Sequence, residues 1–434
     1  LSLHRRLSAG RVEEWLIKPK IVMFLLNPFT NDARVHREGT ALASAGYHVT
    51  ILALAGTGPT VLPQHEWVDG LEVIRIERQG IVFRALKRVW SGLKPVVRGR
   101  SAGRPGELQQ GRTEFPPASE SSLRRVLRFL RRAGILWRMA LTAVRLRADF
   151  YHAHDLNTMP AAVLAKLLRW RPLVYDSHEA ATGRVGHDVW YVHLIERVTI
   201  PFADAVIATT RTRAEFMTAK YGVRPLVVGN VIDLNLAAVP ARDLHTELRI
   251  PADQPIIIYQ GGVQAGRGIE QVLQSIPMWR SGCFVVVGDG NLMGKVQQLA
   301  VELGVTDRVR FTGRVPLKDL LGYTRAARIG VQVLQNTCFN HYSTDSNKLF
   351  EYFAAGLPVV AADYPEIRRV VEEFDVGILV DPHDPGQIAQ AINTLLTPEP
   401  WGTKSANTRN VVQQYNWQVE SSKLIQLYNK LRGN

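Results

Sequence analysis

The chain alternates short, almost wholly apolar runs with helix-length amphipathic stretches, and it does so in two successive series. KIVMFLL (20–26), HVTILAL (48–54), EVIRIE (72–77), ADFYHAH (148–154), RPLVYDS (171–177) and ADAVIAT (203–209) form the first, separated by segments such as 33–46 and 158–169. IIIYQGG (256–262), FVVVGDG (284–290), VRFTG (309–313), IGVQVL (329–334), PVVAAD (358–363) and GILVD (377–381) form the second, with helical segments near 268–276, 292–303, 317–327, 347–355, 365–373 and 385–396. Unbroken apolar runs suit strands covered on both faces, and strands separated by helices run parallel. The expected class is α/β: two Rossmann-like, doubly wound parallel-sheet domains with a cleft between them. Ligands in such sheets bind outside the carboxyl ends of the strands. Residues 1–18 read as an N-terminal extension, 19–235 as the first domain and 236–434 as the second, with the change inside the Pro-containing connection 235–252.

At 434 residues, 46% hydrophobic and 21% charged, the chain can bury sizeable cores. No stretch approaches the roughly 18 apolar residues of a membrane span; 133–144 (AGILWRMALTAV) is short and broken by Arg138. Two cysteines, Cys283 and Cys338, exclude a disulfide framework and a cysteine zinc site, and no signal-peptide layout opens the chain, so a cytoplasmic setting is expected. Of the net charge of +14, residues 84–148 carry +13, which marks one basic insertion and not a nucleic-acid-binding fold. Within it, 95–120 is rich in Gly, Pro, Ser and Arg and reads as a mobile loop. The stretch 121–147 has helical periodicity, with Arg124, Arg125, Arg128, Arg131, Arg132, Arg138 and Arg145 on one side and Val126, Phe129, Leu130, Leu136, Trp137, Leu141 and Val144 largely on the other. Such a helix lies on an anionic bilayer, or packs its apolar stripe on the first sheet with its arginines solvated; both hold if the stripe is core and the arginines meet headgroups. The protein is then peripheral on the inner face of the cell membrane.

The most specific stretch is Ser346-Asn347-Lys348-Leu349-Phe350-Glu351, continuing YFAAGLPVV. Ser346 or its neighbour is placed to cap a helix whose first N–H groups face an anion, and Glu351, one turn in, to hold paired ribose hydroxyls; a capped helix with a solvated Glu has the same spacing. His152-Ala153-His154-Asp155 ends a strand and invites a metal reading, but no third ligand is near in sequence, and no metal is expected. Asp176-Ser177-His178-Glu179 ends the next strand and should open onto the same cleft. Asn31-Asp32-Ala33-Arg34 takes the place of a glycine-rich first loop, with Arg34 free to meet an anionic acceptor. Gly288-Asp289-Gly290 is a strand-to-helix turn that glycine permits.

SNKLFEYFAAGLPVVAAD, YQGGVQAGRG (259–268), VVVGDG (285–290), VRFTGRVP (309–316) and YHAHD (151–155) together resemble the retaining nucleotide-sugar glycosyltransferases of GT-B fold, the large family four. The resemblance covers almost all of residues 19–430. It implies a donor nucleotide (UDP-, GDP- or ADP-sugar) on the second domain, with no other cofactor. It implies a carbohydrate or lipid-linked acceptor on the first, and a last helix crossing back to the first domain. Glu351 matches the second of the family's paired glutamates, while Ser343 stands where the first would fall and Asp345 is the nearest substitute. Arg267 takes the position of the loop lysine that meets the departing diphosphate and Gly262 that of the arginine, with Lys348 a second cation. Gly288 lies by the donor diphosphate, Gly313, Arg314 and Val315 on the loop that reads the base, and His154 on the transferred sugar. Asp32, Arg34, Asp155, His178 and Glu179 remain for the acceptor. A nucleotide-sugar epimerase of the same fold, or an inactive carbohydrate-assembly protein, are the alternatives. A NAD-dependent dehydrogenase is disfavoured because neither 26–33 nor 261–268 supplies G-x-G-x-x-G.

Overall fold

The computed structural model describes residues 18–30, 32–56, 62–78, 122–234 and 239–433. Residues 1–17, Asn31 and the expected loop 95–120 lie outside the described residues.

The first apolar series forms β1 (Lys20–Phe24), β2 (His48–Leu54), β4 (Leu71–Ile76), β5 (Phe150–His154), β6 (Leu173–Ser177) and β7 (Ala205–Ala208). Two further strands, β3 (His65–Val68) and β8 (Leu226–Val227), extend the two edges. Neither was legible, because HEWV has no apolar run and LV is too short to show one. The order is β3-β4-β2-β1-β5-β6-β7-β8, parallel throughout except for the antiparallel β3. The second series forms β9 (Ile256–Gln260), β10 (Cys283–Val287), β11 (Val309–Gly313), β12 (Ile329–Gln332), β13 (Val359–Ala362) and β14 (Gly377–Val380), in the order β11-β10-β9-β12-β13-β14.

Both sheets have a switch point. β1 sits between β2 and β5, and β9 between β10 and β12, so successive crossovers leave these strands in opposite directions and open a crevice at their carboxyl ends. The segments after β1, β5, β9 and β12 border those crevices, and they carry most of the residues singled out from the sequence.

Burial follows the strand pattern: Ile21, Met23 and Phe24 of β1 and every residue of β9 and β10 are shielded from solvent. The last helix, Trp417–Gly433, returns to the first sheet, where Trp417, Leu424 and Tyr428 join the cluster built from Ile21, Val35 and Ile51. The helix Ser122–Arg145 divides between the two expected surroundings. Ile135, Met139, Ala140 and Ala143 of its second half enter the core, while Val126, Phe129, Leu130 and Trp137 of the expected buried stripe remain exposed. Helical periodicity alone cannot say how far a helix extends beyond the sheet it packs on.

Candidate active site

On the second sheet, β9 delivers Gln260 and then a glycine pair to the crevice. Gly261 has φ +128° and Gly288, after β10, φ +143°; a Cβ on Gly288 would fall 1.9 Å from the Gly261 carbonyl oxygen. The two loops therefore pack backbone on backbone, which only glycine allows. Gly262, exposed, accepts a hydrogen bond at its carbonyl from the Tyr259 hydroxyl (2.8 Å). Over the Tyr259 ring, 4.1 Å from its centroid, lies the Lys348 ammonium. Burial, with the nearby Arg267 charge adding to it and Glu351 opposing, brings the Lys348 ammonium down to about 7. The Arg267 guanidinium makes no hydrogen bond or ion pair among the described residues.

Lys348 belongs to the helix Asn347–Ala354, whose start differs from expectation. Ser346 occupies the N-cap with φ +54°, and its hydroxyl makes no capping bond. Its own N–H donates to Thr344 Oγ1 (3.2 Å), so the first turn of the helix presents its N–H groups to whatever enters. Two cations that form no ion pair within 4 Å among the described residues and a helix N-terminus without a side-chain cap converge here, an arrangement suited to a diphosphate. Glu351, one turn along, accepts a hydrogen bond from Gln260 Nε2, and Gln260 Oε1 accepts from the Thr324 hydroxyl (2.7 Å). Burial pushes the Glu351 carboxyl up, against the pull of Gln260 and Lys348. Leu349 is wholly buried and anchors the helix; Asn347 is exposed. Gly313, with φ +69°, and exposed Arg314 form the loop after β11, while Val315 packs against the core.

Across the cleft, β5 and β6 bring His154, Asp155, His178 and Glu179 together. Asp155 has φ +60°, uncommon for a residue with a side chain and frequent at functional strand ends. Its carboxylate lies 3.7 Å from Arg184 and 3.9 Å from His178. Glu179 accepts from Arg184 Nε (2.7 Å), and although burial opposes it, Arg184 holds this carboxyl low. His178 Nε2 is 2.9 Å from Asp176; burial works against its charge, but Asp155 and Asp176 raise it to about 9, so it is an imidazolium at neutral pH. His154 Nδ1 is 3.2 Å from Asp176 and 3.1 Å from His178, whereas its buried Nε2 has no protein partner.

Two expected acceptor contacts are used by the fold itself. Arg34, expected to be free for an anion, is buried, with Asp176 held at 2.9 and 2.8 Å, Val228 O and Asn230 Oδ1 at 3.0 Å and Glu38 at 3.0 Å. Asp32 caps the helix Ala33–Ser44 through Val35 N (3.2 Å). Ser343 and Asp345 lie in the seam between the two halves. Arg213 reaches Ser343 Oγ (3.1 Å), Asn340 O (3.0 Å) and His178 O (2.8 Å), and Thr210 donates to Ser343 O (2.9 Å). Burial, opposed by Arg213 and aided by Glu366, pushes the Asp345 carboxyl up to about 7.

The metal argument from spacing needs correcting in its premise. Glu38 and Asp176 supply the ligands that His152 and His154 lack in sequence, with ligand atoms of all four within 4.8 Å of one another and all four residues buried. The Arg34 guanidinium, 2.8 Å from Asp176 and 3.0 Å from Glu38, already holds the cation's place. His152, kept neutral by burial and by His154, has Nδ1 2.7 Å from the Tyr428 hydroxyl.

Sequence reading missed Gln260, Arg213 and Glu38. A polar residue ending the run IIIYQ and an Arg34–Glu38 pair four apart on a helix were visible signals; Arg213 left none, because it bridges His178 in its own half to Ser343 and Asn340 in the other.

Comparison with known proteins covers both halves. Residues 32–230 match the model of the glycosyl transferase 4-like domain and residues 254–398 that of the glycosyl transferases group 1. A D-inositol 3-phosphate glycosyltransferase of Thermobispora bispora is 28% identical over 309 residues, 65% of this chain and 70% of that protein. Among solved structures, sucrose-phosphate synthase of Thermosynechococcus elongatus superposes with a TM-score of 0.72 at 20% identity, covering 96% of this chain and 100% of that one. Anabaena HepE in complex with UDP-glucose superposes with a TM-score of 0.68 at 16% identity, covering 95% and 99%. With two facing α/β sheets and a glycosyltransferase family model matched in each half, the chain is a glycosyltransferase of GT-B fold related to family four, moving a sugar from a nucleotide-sugar donor to an acceptor.

Proposed function

We propose that the chain transfers its sugar with retention of anomeric configuration, without a metal, to a hydroxyl of a carbohydrate or lipid-linked acceptor, and that it works peripherally on an anionic membrane. The observation that carries this reading is the meeting of Arg267, Lys348 and the uncapped helix start at Ser346. The donor diphosphate lies there and its ribose meets Glu351, while Gly288 and the Gly313-Arg314-Val315 loop lie beside diphosphate and base. His154 Nε2, buried without a partner, is offered to the transferred sugar, because a buried polar atom of this kind needs a ligand to satisfy it. The acceptor enters beside Asp155, His178 and Glu179. Its hydroxyl oxygen bonds to the anomeric carbon on the face from which the diphosphate oxygen departs, and its proton passes to that departing oxygen. Arg267 and Lys348 meet the charge that grows on the leaving group, so no side-chain nucleophile is required. The solved UDP and UDP-glucose complexes of HepE make UDP-glucose the first donor to test.

Arg267→Ala tests the assignment. Turnover at saturating donor should fall at least tenfold with a smaller loss of donor affinity, since the charge it meets is larger in the transition state. Loss of affinity with turnover intact would confine Arg267 to ground-state binding. The anomeric configuration of the product, read by NMR, tests retention, and activity in excess EDTA tests metal independence.

A further inference from the structure

Beside the acceptor end of the cleft lies a cavity of about 480 Å³, within the roughly 300–1,000 Å³ of small-molecule sites. The helices Ser122–Arg145, Met159–Arg169 and Trp190–Thr199 wall it, and it is lined by apolar side chains, Leu136, Leu164, Val192 and Ile195, with exposed Trp137 and Tyr191 at its rim. One end is polar, formed by Asp155, Glu179 and Arg184, the first two assigned above to the acceptor. The same helices then carry apolar side chains out to the surface. Phe129, Trp137, Leu168, Trp170, Trp190 and Leu194 are exposed, Trp170 by 86% and Trp190 by 75%. Scattered exposed apolar residues need no explanation, but Phe129, Trp137 and Tyr191, exposed while lining the groove itself, do. Arg128, Arg131 and Arg132, all exposed, lie along the first of these helices, and Arg132 lines the groove itself.

We propose that this groove holds the hydrocarbon chain of the acceptor, and that the acceptor is therefore a membrane lipid whose reacting sugar or hydroxyl lies at the polar end of the groove. The inference rests on the transferase reading above and narrows its acceptor to one class. Three observations select a lipid chain as occupant. The groove is apolar along its walls, as a chain requires and a free sugar or cyclitol phosphate does not. Its polar end meets the acceptor side of the cleft, which puts a headgroup where transfer occurs. The exposed Phe129 and Trp137 of its lining lie on the helix that carries exposed Arg128, Arg131 and Arg132, the chemistry of an interface with anionic headgroups. A chain entering from the bilayer would keep most of its length in apolar surroundings.

Farnesyl phosphate, a soluble isoprenoid monophosphate, is the probe, with inorganic phosphate and the shorter geranyl phosphate beside it. Titrated in vesicle-free buffer into the full chain, farnesyl phosphate should bind at least tenfold more tightly than geranyl phosphate, and inorganic phosphate should not compete. Leu164→Trp, which fills the groove, should weaken farnesyl phosphate at least tenfold while leaving UDP binding and attachment to anionic vesicles unchanged. Trp137→Glu places a carboxylate at the more exposed rim and should do the same for the probe; it keeps the test decisive should Leu164→Trp fold poorly. Equal binding by wild type and both variants, or no binding outside vesicles, would overturn the proposal and leave the patch as a membrane-insertion surface alone. A concentration-dependent dimer abolished by either substitution would assign the groove to a second copy and overturn it likewise. Absence of UDP binding by the wild type would count against the transferase reading instead, because the nucleotide is placed on the second sheet, away from this groove.

Discussion

Glu351 and Lys348 share one helical turn and are both perturbed by burial, yet the proposed site gives them different parts of the donor. Removing the Glu351 charge by Glu351→Gln should weaken nucleotide-sugar binding by one to two orders of magnitude, corresponding to a charged hydrogen bond of about 1.5–3 kcal/mol, with the melting temperature preserved. Isothermal titration with UDP or UDP-glucose checks it. Lys348 makes donor binding depend on pH. Its free ammonium is held down to about 7, and an arriving diphosphate restores the preference for the charged form, so binding at pH 8 should take up a proton and affinity should fall as pH rises from 7 toward 9. Titrations in two buffers of different ionisation enthalpy measure the uptake, which Lys348→Arg should abolish. Such shifts are invisible in a sequence, since Lys348 is half-buried only because Tyr259 and the Gly261 loop close over it.

The helix Ser122–Arg145 has two halves with different surroundings. Its second half is core, so substitution of Met139 or Ala143 would be felt as a packing defect. Its first half extends past the sheet with arginines and apolar side chains both exposed. Replacing Arg128, Arg131 and Arg132 together by Gln should sharply reduce binding to vesicles containing anionic lipid, at roughly 1 kcal/mol per cation near the surface, and leave UDP affinity unchanged. Vesicle sedimentation at low and high salt checks it, because exposed charges are screened beyond about 8 Å at physiological ionic strength. The periodicity that revealed this helix was correct about its existence and silent about its burial. An amphipathic pattern has the same form whether the apolar side meets a sheet, a lipid or a groove.

At the scale of the molecule, the two sheets are joined by the seam around Arg213 and by the last helix. Arg213→Ala removes bonds to Ser343 and Asn340 in the second half, while the strands of both sheets keep their cores. Small-angle scattering should then report a larger radius of gyration without donor, and kcat/KM should fall because closing the cleft becomes costlier. Tyr428 links the returning helix to His152 on β5, tying the far end of the chain to the strand that positions His154. This coupling makes truncation of the last helix a change to the acceptor side of the cleft as well as to the core.

The strands of both sheets outside the edges, the glycine turns and the motif around Glu351 were legible because they depend on local rules: apolar runs, residues that permit positive φ, and spacing on one helix. The pairing order of the sheets, and hence the crevices at β1 and β9, also followed from alternation in kind though not in detail. The network of Arg34, Glu38, His152, His154 and Asp176 was not legible. Its members come from a helix and two strands far apart in sequence, and charge in a low-dielectric interior is decided by which neighbours arrive. Arg34 reads in sequence as a free cation near the cleft, and only packing turns it into the counter-ion of two buried carboxylates. The sequence by itself determined two doubly wound sheets, the helix that carries Glu351 and a basic helix. Tertiary structure alone decided which charges are consumed by the fold and which are left for ligands, because desolvation and pairing are properties of assembled surroundings and not of residue types.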